Sequence, residues 1–315
     1  MRPAAPPDAG PMAALFNRDR NNPLSAEEFF AVRHPVASWI IEAPDGQIAG
    51  WADLRAPTGS APEDLWVHVA VDDAHSRHGV GSRLLETAEQ HASAIGAWRL
   101  LAGVGEERPD AVAWALHRQY HITQRYCESV LDVSATPWAL WDVVASSLAG
   151  RGAQVLSLAH FDEPELSDRL LSLLREAEAD MPDPPARPAS AEEWRARLFE
   201  GPRAWPETGV VITGPDGHLW AISAHNRLGE RARQVEVILT AVARSRRGQG
   251  LGLAVKLAGL RKLRHAGIAR VTTSTHVANH AMRAVNRRLG FRDLPASLIL
   301  EKDLAAHEPK AGPPH

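Results

Sequence analysis

The stretch from Glu236 to Gly252 reads EVILTAVARSRRGQGLG and joins two unlike patterns. An apolar, β-branched run comes first, as in a buried strand, and three closely spaced glycines follow. Glycines let a backbone approach a phosphate closely, and the free N–H groups and dipole of a following helix favour an anion. The stretch therefore predicts a strand, a glycine-rich turn and a helix that together bind a pyrophosphate.

The charges around this turn support a phosphorylated ligand. No Asp or Glu lies between Glu236 and Asp293, so the acid that a Rossmann site places about 20 residues after its glycines is missing. No Gly-Lys-Ser/Thr follows either, which excludes a Walker loop. The interval holds only basic charges: Arg244, Arg246, Arg247, Lys256, Arg261, Lys262, Arg264, Arg270, Arg283, Arg287, Arg288 and Arg292. The alternative is a glycine-rich turn beside a solvated arginine face.

Two motifs in the expected order resemble those of the GCN5-related N-acetyltransferases. Arg247–Gly252 is similar to the family's Arg/Gln-x-x-Gly-x-Gly/Ala acetyl-CoA signature. Asn279, Met282 and Asn286, followed by Leu289–Phe291, resemble its Asn-x-x-Ala-x-x-(Leu)-Tyr-x-x-Leu-Gly-Phe stretch. The resemblance covers roughly the second half of the chain, from residue 155 to residue 303.

The resemblance implies an N-acyltransferase that uses acetyl-CoA, or another acyl-CoA, as cosubstrate and needs no metal. In this family the strand before the signature ends in a splayed β-bulge, whose N–H groups hold the pantetheine arm and the thioester oxygen. Thr240 and Val242 take those backbone roles here, and such N–H groups do much of the electrostatic work of acyl transfer. The implied cofactor-binding residues are Ala241, Val242, Arg247, Gly248, Gln249, Gly250, Leu251, Gly252 and Asn279. We also expect Asn279 to cap its helix.

Glu236 is the candidate general base. It lies fourteen residues before the middle glycine of the signature, where several family members have their catalytic glutamate. A carboxylate in so apolar a strand is costly unless it is used or paired, and the alternative is a pair with an arginine such as Arg233. Strand alternation predicts one face for Glu236, Ile238, Thr240 and Val242.

Asn286 stands where the family has the tyrosine that protonates the departing thiolate. Asparagine can donate a hydrogen bond to sulfur, but it cannot give up a proton at neutral pH. Water, a nearby group such as His276 or His280, or departure of CoA as a thiolate would fill that role. The expected catalytic residues are thus Glu236, Thr240 and Asn286.

The same order of elements occurs twice along the 315 residues. Each half reads as strand, helices, hairpin, strand, glycine-rich turn, helix, strand, helix, strand. This order predicts an α/β fold with two tandem domains, each a mixed, mostly antiparallel, twisted sheet flanked by helices. The predicted boundaries are 1–148 for the N-terminal domain, 153–305 for the catalytic domain and 306–315 for a flexible tail. The doubled plan resembles tandem acetyltransferases of the mycothiol-synthase type.

The first half lacks most of the chemistry of the second. Ser76–Gly81 keeps two glycines but has Ser where the signature has Arg or Gln, and Leu65 stands at the position of Glu236. The family's Gly-Phe is replaced near His121 and Ile122. We therefore expect a catalytically silent domain that helps to shape the acceptor pocket.

The sequence gives less information about the acceptor of the acyl group. Four acidic residues, Glu176, Glu178, Asp180 and Asp183, precede or enter a proline-rich loop. An acidic rim would attract a cationic amine, but an ordinary solvated loop explains the same residues.

Composition bounds the remaining possibilities. A net charge of −3 gives no indication of a nucleic-acid or membrane partner, and no run reaches the ~18 apolar residues of a membrane span. The single cysteine, Cys127, excludes an internal disulfide framework and fits a reducing compartment. We expect a cytoplasmic monomer or homodimer that acts on a small-molecule amine.

Three alternative functions stay open. The absent tyrosine and the altered first half would suit a non-catalytic CoA-binding sensor or scaffold. The acceptor could instead be a protein amine. An arginine-rich face over residues 244–292 could bind nucleic acid, although the near-neutral charge speaks against it.

Overall fold

The computed structural model describes residues 1–18, 26, 29, 35–56, 63–162, 164–185, 187–228 and 233–304. Internal contacts divide the chain into two compact units. The N-terminal unit comprises Met1–Arg125 together with Ser297–His315, and the C-terminal unit comprises Tyr126–Ala296.

The described elements follow the predicted order. The strands are β1 (Arg2–Pro3), β2 (Ala37–Glu42), β3 (Ile48–Arg55), β4 (Asp64–Val71), β5 (Arg99–Gly105), β6 (His121–Asp132), β7 (Gln154–Ser157), β8 (Val210–Thr213), β9 (Leu219–Arg227), β10 (Gln234–Val242), β11 (Arg270–His276), β12 (Arg292–Asp293) and β13 (Ser297–Asp303). The α-helices are α1 (Ala9–Asn17), α2 (Val80–Ala94), α3 (Pro109–Leu116), α4 (Leu140–Ala149), α5 (Pro164–Ala179), α6 (Ala191–Arg195), α7 (Leu251–His265) and α8 (His280–Arg288).

The N-terminal unit contains a sheet in the order β1-β2-β3-β4-β5-β13. Its described neighbours are antiparallel except β4 and β5, which run parallel on either side of the crossover helix α2. Leu54, Leu65 and Leu100 of this sheet pack with Leu85 and Ala88 of α2 in one buried cluster. The predicted mixed, mostly antiparallel sheet is confirmed in this unit.

The C-terminal unit repeats the plan with the order β6-β11-β10-β9-β8-β7, and β12 adds to β6. Here β10 and β11 are the parallel pair, joined by the crossover helix α7. One face of the sheet is covered by α7, whose Leu257 and Leu260 pack on Val235 and Val271. The other face packs on α5 and α6, including Leu174 and Trp194.

Helix α6 shows how the sequence specifies local structure. Ser190 Oγ accepts a hydrogen bond from the Glu193 backbone N–H at 3.2 Å, and Glu193 Oε2 accepts one from the Ser190 N–H at 2.7 Å. Both donors would otherwise lack a partner at the helix start. Ser190 and Glu193 therefore form a capping box, the pattern that Ser-x-x-Glu at a helix start favours.

Each unit contains the closing strand of the other sequence repeat. Strand β6, the last of the first half, pairs through Tyr126–Asp132 with β11 in the C-terminal unit. Strand β13, the last of the second half, pairs over its whole length with β5 in the N-terminal unit. Periodicity identifies strands but not their partners, so the exchange was not predicted. The predicted domain limits, residues 148 and 153, refer to the sequence repeat and stay a prediction.

Helix α4, in the segment between the repeats, was also not predicted. Its Leu148 is buried, and Trp141 and Val144 pack against the α7 clusters. Arg261 of α7 lies over the Trp141 ring at 4.8 Å from its centroid. The segment therefore belongs to the core of the C-terminal unit and is not a spacer.

We expect Leu300→Ala to loosen the N-terminal unit, although residue 300 lies near the C-terminus. Leu300 of β13 is fully buried among Leu54, Leu65 and Leu100, so its truncation leaves a cavity worth about 2–5 kcal/mol. Hydrogen exchange followed by mass spectrometry should show lost protection in β3–β5. The matched control, Leu257→Ala, is equally buried but should loosen β10 and β11. Loosening of β10 and β11 by Leu300→Ala would contradict the assignment of β13.

Candidate active site

Strand β10 carries the predicted base and contains a β-bulge. Val237 opposes His225 of β9, and Leu239 opposes the next residue, Ala224, so that Ile238 is an extra residue without an opposite number. An extra residue bends a strand and reverses the side-chain alternation beyond it.

The bulge divides the predicted strand face into two. Val237 packs against leucines of α7, whereas Leu239 packs in the core formed by α5 and α6. Glu236 and Ile238 therefore face the α5 side, while Thr240 and Val242 face the α7 side. The expectation of one shared face was wrong, because simple alternation takes no account of a bulge.

Strands β10 and β11 part directly after this point. They pair only from Gln234 to Val237, and the last pair is Val237 with Thr273. The Thr273 hydroxyl donates a hydrogen bond to the Val237 carbonyl at 3.3 Å where the strands separate. Because β10 continues to Val242 and β11 to His276, a cleft opens between two strand edges. Glu236, half-buried and opposite Asn226 and Thr272, lies just before it.

The glycine-rich turn follows β10 as predicted. Gly248 has φ +73° and Gly250 has φ +79°, a region that costs other residues roughly 1–2 kcal/mol. A Cβ on either glycine would meet no atom within 4 Å, so open space faces both. Helix α7 begins at Leu251, and its first N–H groups have no partner within the helix. The turn thus presents backbone donors and a helix dipole to an open region.

The signature arginine is held by a carboxylate. Arg247 pairs with Asp180 at 2.7 Å and donates through Nε to the Val242 carbonyl at 3.1 Å, and Arg244 pairs with Asp180 at 2.6 Å. The two guanidinium groups, Arg244 first, lower the pKa of Asp180 to about 2. The charge of Arg247 is therefore fixed beside the turn.

The acidic residues proposed as an acceptor rim are largely engaged elsewhere. Glu178 is buried and accepts from the Ala189 N–H at 3.3 Å, and Glu176 accepts from the Arg244 N–H. Asp180 is paired with the two arginines as well. The fourth acidic residue, Asp183, acts on Tyr126: burial first, and then the charge of Asp183, raise the pKa of Tyr126.

Helix α8 brings the second motif to the cleft. Asn279 accepts from the Met282 N–H at 3.1 Å, which confirms it as the N-cap. Asn286 is buried; its Nδ2 donates to Thr275 Oγ1 at 3.2 Å, and its Oδ1 accepts from Lys256 Nζ at 2.6 Å. Thr275 lies on β11 two residues past the last pair with β10, so the hydrogen-bonded chain ends at the cleft.

Lys256 is a buried residue that the sequence reasoning missed. It was counted with the surface basic residues, yet only 2% of it is exposed, and its Nζ lies 5.0 Å from the centroid of the Phe291 ring. Burial lowers its pKa to about 7. The signal was present in LGLAVKLAGL, because a helix that is apolar on all sides is buried on all sides.

A groove of ≈ 420 Å³ lies beside the turn. It is lined by residues of α5, the β8–β9 hairpin and the turn, among them Glu176, Trp220 and Arg246. Glu236, Thr240 and Asn286 do not line it, so the groove is separate from the cleft between β10 and β11.

The corresponding turn of the N-terminal unit, residues 76–81, has the backbone shape of the turn at 247–252 but different residues. Gly79 has φ +82°, and Arg77 has φ +62° at the place of Gly248. The Arg77 guanidinium pairs with Asp110 at 2.6 Å. Strand β4 pairs with β3 in unbroken register, so it lacks the bulge of β10.

The end of α3 corrects one predicted correspondence. The Tyr120 N–H donates to the Ala115 carbonyl, as the Phe291 N–H donates to the Asn286 carbonyl, and Gln119 has a positive φ like Gly290. The counterpart of Gly290 and Phe291 is therefore Gln119 and Tyr120, two residues before the expected His121 and Ile122. Ala115 stands in the place of Asn286, so this unit has no polar side chain there.

The cleft has the features that an acyl-CoA needs. The Thr240 hydroxyl is buried and has no hydrogen-bond partner within the described part of the chain, which leaves it available to a ligand. The two left-handed glycines face open space, and Arg247 lies beside them. The residues therefore fit a ligand with a polar arm along β10 and a diphosphate at the turn.

Comparison with known proteins agrees with this geometry. The profile of the acetyltransferase (GNAT) family matches residues 11–121 and again residues 171–291. The chain belongs to this family. The mycothiol acetyltransferase of Nocardiopsis dassonvillei is 25% identical over 287 residues, which cover 85% of this chain and 84% of the relative. The two matched segments confirm the predicted tandem type, and membership makes the chain a GNAT-type N-acetyltransferase.

Solved structures share the doubled fold. A GCN5-related N-acetyltransferase from Sphaerobacter thermophilus superposes with a TM-score of 0.74 at 18% identity, covering 96% of this chain and 95% of its own. A tandem GNAT protein of the clavulanic acid biosynthesis pathway gives 0.74 at 21% identity, covering 98% and 99%. At these identities the likeness concerns the fold.

The described residues contain neither a metal-binding cluster nor a membrane-spanning helix. No cluster of three or more His, Cys, Asp or Glu side chains suitable for a metal occurs in them. None of their helices has the length and apolarity that a bilayer crossing requires.

We expect Gly248→Ala to destabilise the protein and Gly252→Ala to leave it nearly unchanged. Gly248 needs a left-handed backbone, so alanine should cost roughly 1 kcal/mol there. Gly252 lies inside α7 with ordinary contacts at 3.8 Å and beyond, where alanine favours the helix. Urea unfolding of both variants measures the difference, and equal midpoints would contradict the strained turn.

Proposed function

We propose that this chain transfers an acetyl or other short acyl group from acyl-CoA to a primary amine of a small molecule. The cleft between β10 and β11, which opens onto the left-handed glycine turn, carries the proposal. Membership of the family and the kinship with a mycothiol acetyltransferase, an enzyme named for a small molecule, support it. A cytoplasmic location and a monomeric or homodimeric state complete the proposal.

The α7 side of the cleft would hold the cosubstrate. Acetyl-CoA would supply an acyl group already activated as a thioester. The backbone N–H groups of 248–252 and the Arg247 guanidinium are placed for the diphosphate. The main chain of Thr240, Ala241 and Val242, with Asn279, is placed for the pantetheine arm and the thioester oxygen.

The α5 side would receive the amine. Because the bulge turns Glu236 to this side and Thr240 to the other, the base and the thioester site flank one stretch of β10. Glu236 would take a proton from the attacking ammonium, directly or through one water. Direct attack then needs no covalent enzyme intermediate.

The N-terminal unit is proposed to be catalytically silent. Leu65 packs toward the crossover helix α2, and β4 has no bulge, so the β4 residue on the face that Glu236 occupies in β10 is Trp66, which cannot act as a base. Asp110 already engages Arg77 at the turn, and Ala115 replaces Asn286.

Release of CoA thiol distinguishes an enzyme from a CoA-binding sensor. The purified chain should release thiol from acetyl-CoA in the presence of at least one class of small primary amine, since a base and a thioester site flank β10. The assay compares a panel of amines with a lysine-containing peptide and an amine-free control. Tight CoA binding without release from any amine would favour the sensor, and release with the peptide alone would favour a protein acceptor.

We expect Glu236→Gln to lower kcat by about 10²–10⁴-fold at neutral pH and to change the acetyl-CoA Kd little. The amide keeps the shape of the side chain but cannot accept a proton, and Glu236 faces away from the α7 side. Steady-state kinetics and calorimetric titration with CoA measure the two effects. Glu207→Gln, at another acidic position of the C-terminal unit, is the control. An unchanged kcat would remove Glu236 from the mechanism.

A further inference from the structure

Lys256 is a buried amine that the proposed mechanism does not yet use. Its Nζ donates to Asn286 Oδ1 at 2.6 Å, and Asn286 Nδ2 in turn donates to Thr275 Oγ1 at 3.2 Å. Lys256 and Asn286 are each only 2% exposed. A buried lysine without a charged partner is costly, so its retention in an apolar helix calls for a physical role.

The surroundings of Lys256 provide no compensating negative charge. Helix α8 contributes Asn286, β11 contributes Thr275, and the Phe291 ring faces the amine. Strand β9 contributes His225, whose pKa is lowered to about 3 by burial first and by the Lys256 charge second. His225 is therefore neutral at neutral pH, and no carboxylate among the described residues acts on the Lys256 pKa, which burial alone shifts.

The chain from Lys256 to Thr275 ends at the cleft rather than in the core. Thr275 lies on β11 beyond the last pair with β10, and the buried, unpartnered Thr240 hydroxyl lies on the α7 side of the same cleft. Asn286 is the residue that would face the sulfur in the proposed reaction. A positive charge thus lies one hydrogen bond behind that position.

We infer that Lys256 is a positioning residue whose ammonium group, acting through Asn286, balances the negative charge that develops on the departing sulfur. The inference rests on the proposed function. It explains how a site without the tyrosine releases its thiol: a preorganised charge in a water-poor cleft stabilises the thiolate in place of a proton donor.

The step balances without a further reactant. The amine nitrogen forms a bond to the acyl carbon, and Glu236 takes the proton that the nitrogen loses. The carbon–sulfur bond breaks, and its electron pair goes to sulfur. Lys256 holds its own proton throughout, and the thiolate is protonated by solvent after it leaves.

The pH dependence follows from the sign of the lysine charge. The charge is present below the Lys256 pKa of about 7 and is lost as the pH rises through it. Loss of the charge should lower kcat on the alkaline side. A neighbouring thiolate favours the ammonium form, so bound CoA should raise the pKa of Lys256.

The decisive experiment titrates Lys256 in the unaltered protein. NMR spectra of the chain with ¹³C-labelled lysine are recorded against pH in three states: alone, with CoA, and with a CoA analogue that carries hydrogen in place of the thiol. Lys262→Met and Lys256→Met spectra assign the signals. CoA should move the Lys256 midpoint upward by about one pH unit relative to the analogue. Identical midpoints with the two ligands would overturn the inference.

Kinetics of Lys256→Met provide the second measurement. Methionine keeps the apolar stem and removes the charge, so kcat at pH 6 should fall about tenfold to hundredfold and the alkaline decline should disappear. Lys262 of the same helix donates to the Glu207 carbonyl at 2.8 Å and does not contact Asn286, so Lys262→Met should keep the wild-type profile. An unchanged alkaline decline in Lys256→Met would overturn the inference.

These outcomes separate the inference from the proposed function. If the wild-type chain binds CoA but acylates no amine, the proposed function fails, while the NMR titration still decides the effect of Lys256 on bound sulfur. If the wild-type chain is active and the titration shows no dependence on the thiol, the role of Lys256 fails alone. Acetylation of Lys256 itself on incubation with acetyl-CoA, detected by peptide mass spectrometry, would also overturn it.

Discussion

The parting of β10 from β11 is the constraint on which the candidate site depends. Two parallel strands that stayed paired would satisfy each other's backbone groups and leave no room for a ligand. That pairing ends at Val237 and Thr273, and at the same point β10 has a bulge at Ile238 against its other neighbour, β9. The crossover helix α7 packs against both strands below this point, so its N-terminus lies at the open end.

The local structure around the signature could be predicted because its causes are local. The glycines require left-handed backbone, Asn279 caps its own helix, and the apolar run of α7 begins and ends where the sequence indicates. The side-chain faces beyond Ile238 could not be predicted. A bulge is a mismatch in residue number between two paired strands, and the sequence of one strand does not show it.

Long-range pairing set the second limit. The sequence identifies β6 and β13 as strands, but their partners depend on contacts with residues far away in the chain. The predicted exposure of Lys256 was wrong for a different reason. Its charge assigned it to the surface, although the apolar residues on all sides of α7 indicated that it is buried. Asn286 was found from the motif, whereas its lysine partner appeared only in three dimensions.

The exchanged strands have a consequence for how the protein is made. Strand β5 emerges from the ribosome early, but its neighbour β13 is among the last described segments to be synthesised. Until then the edge of the N-terminal sheet has unpaired backbone groups, which can associate with other chains. The N-terminal unit therefore stays incomplete until the C-terminal unit has been synthesised, and a premature stop before Ser297 would damage the unit that had been translated first.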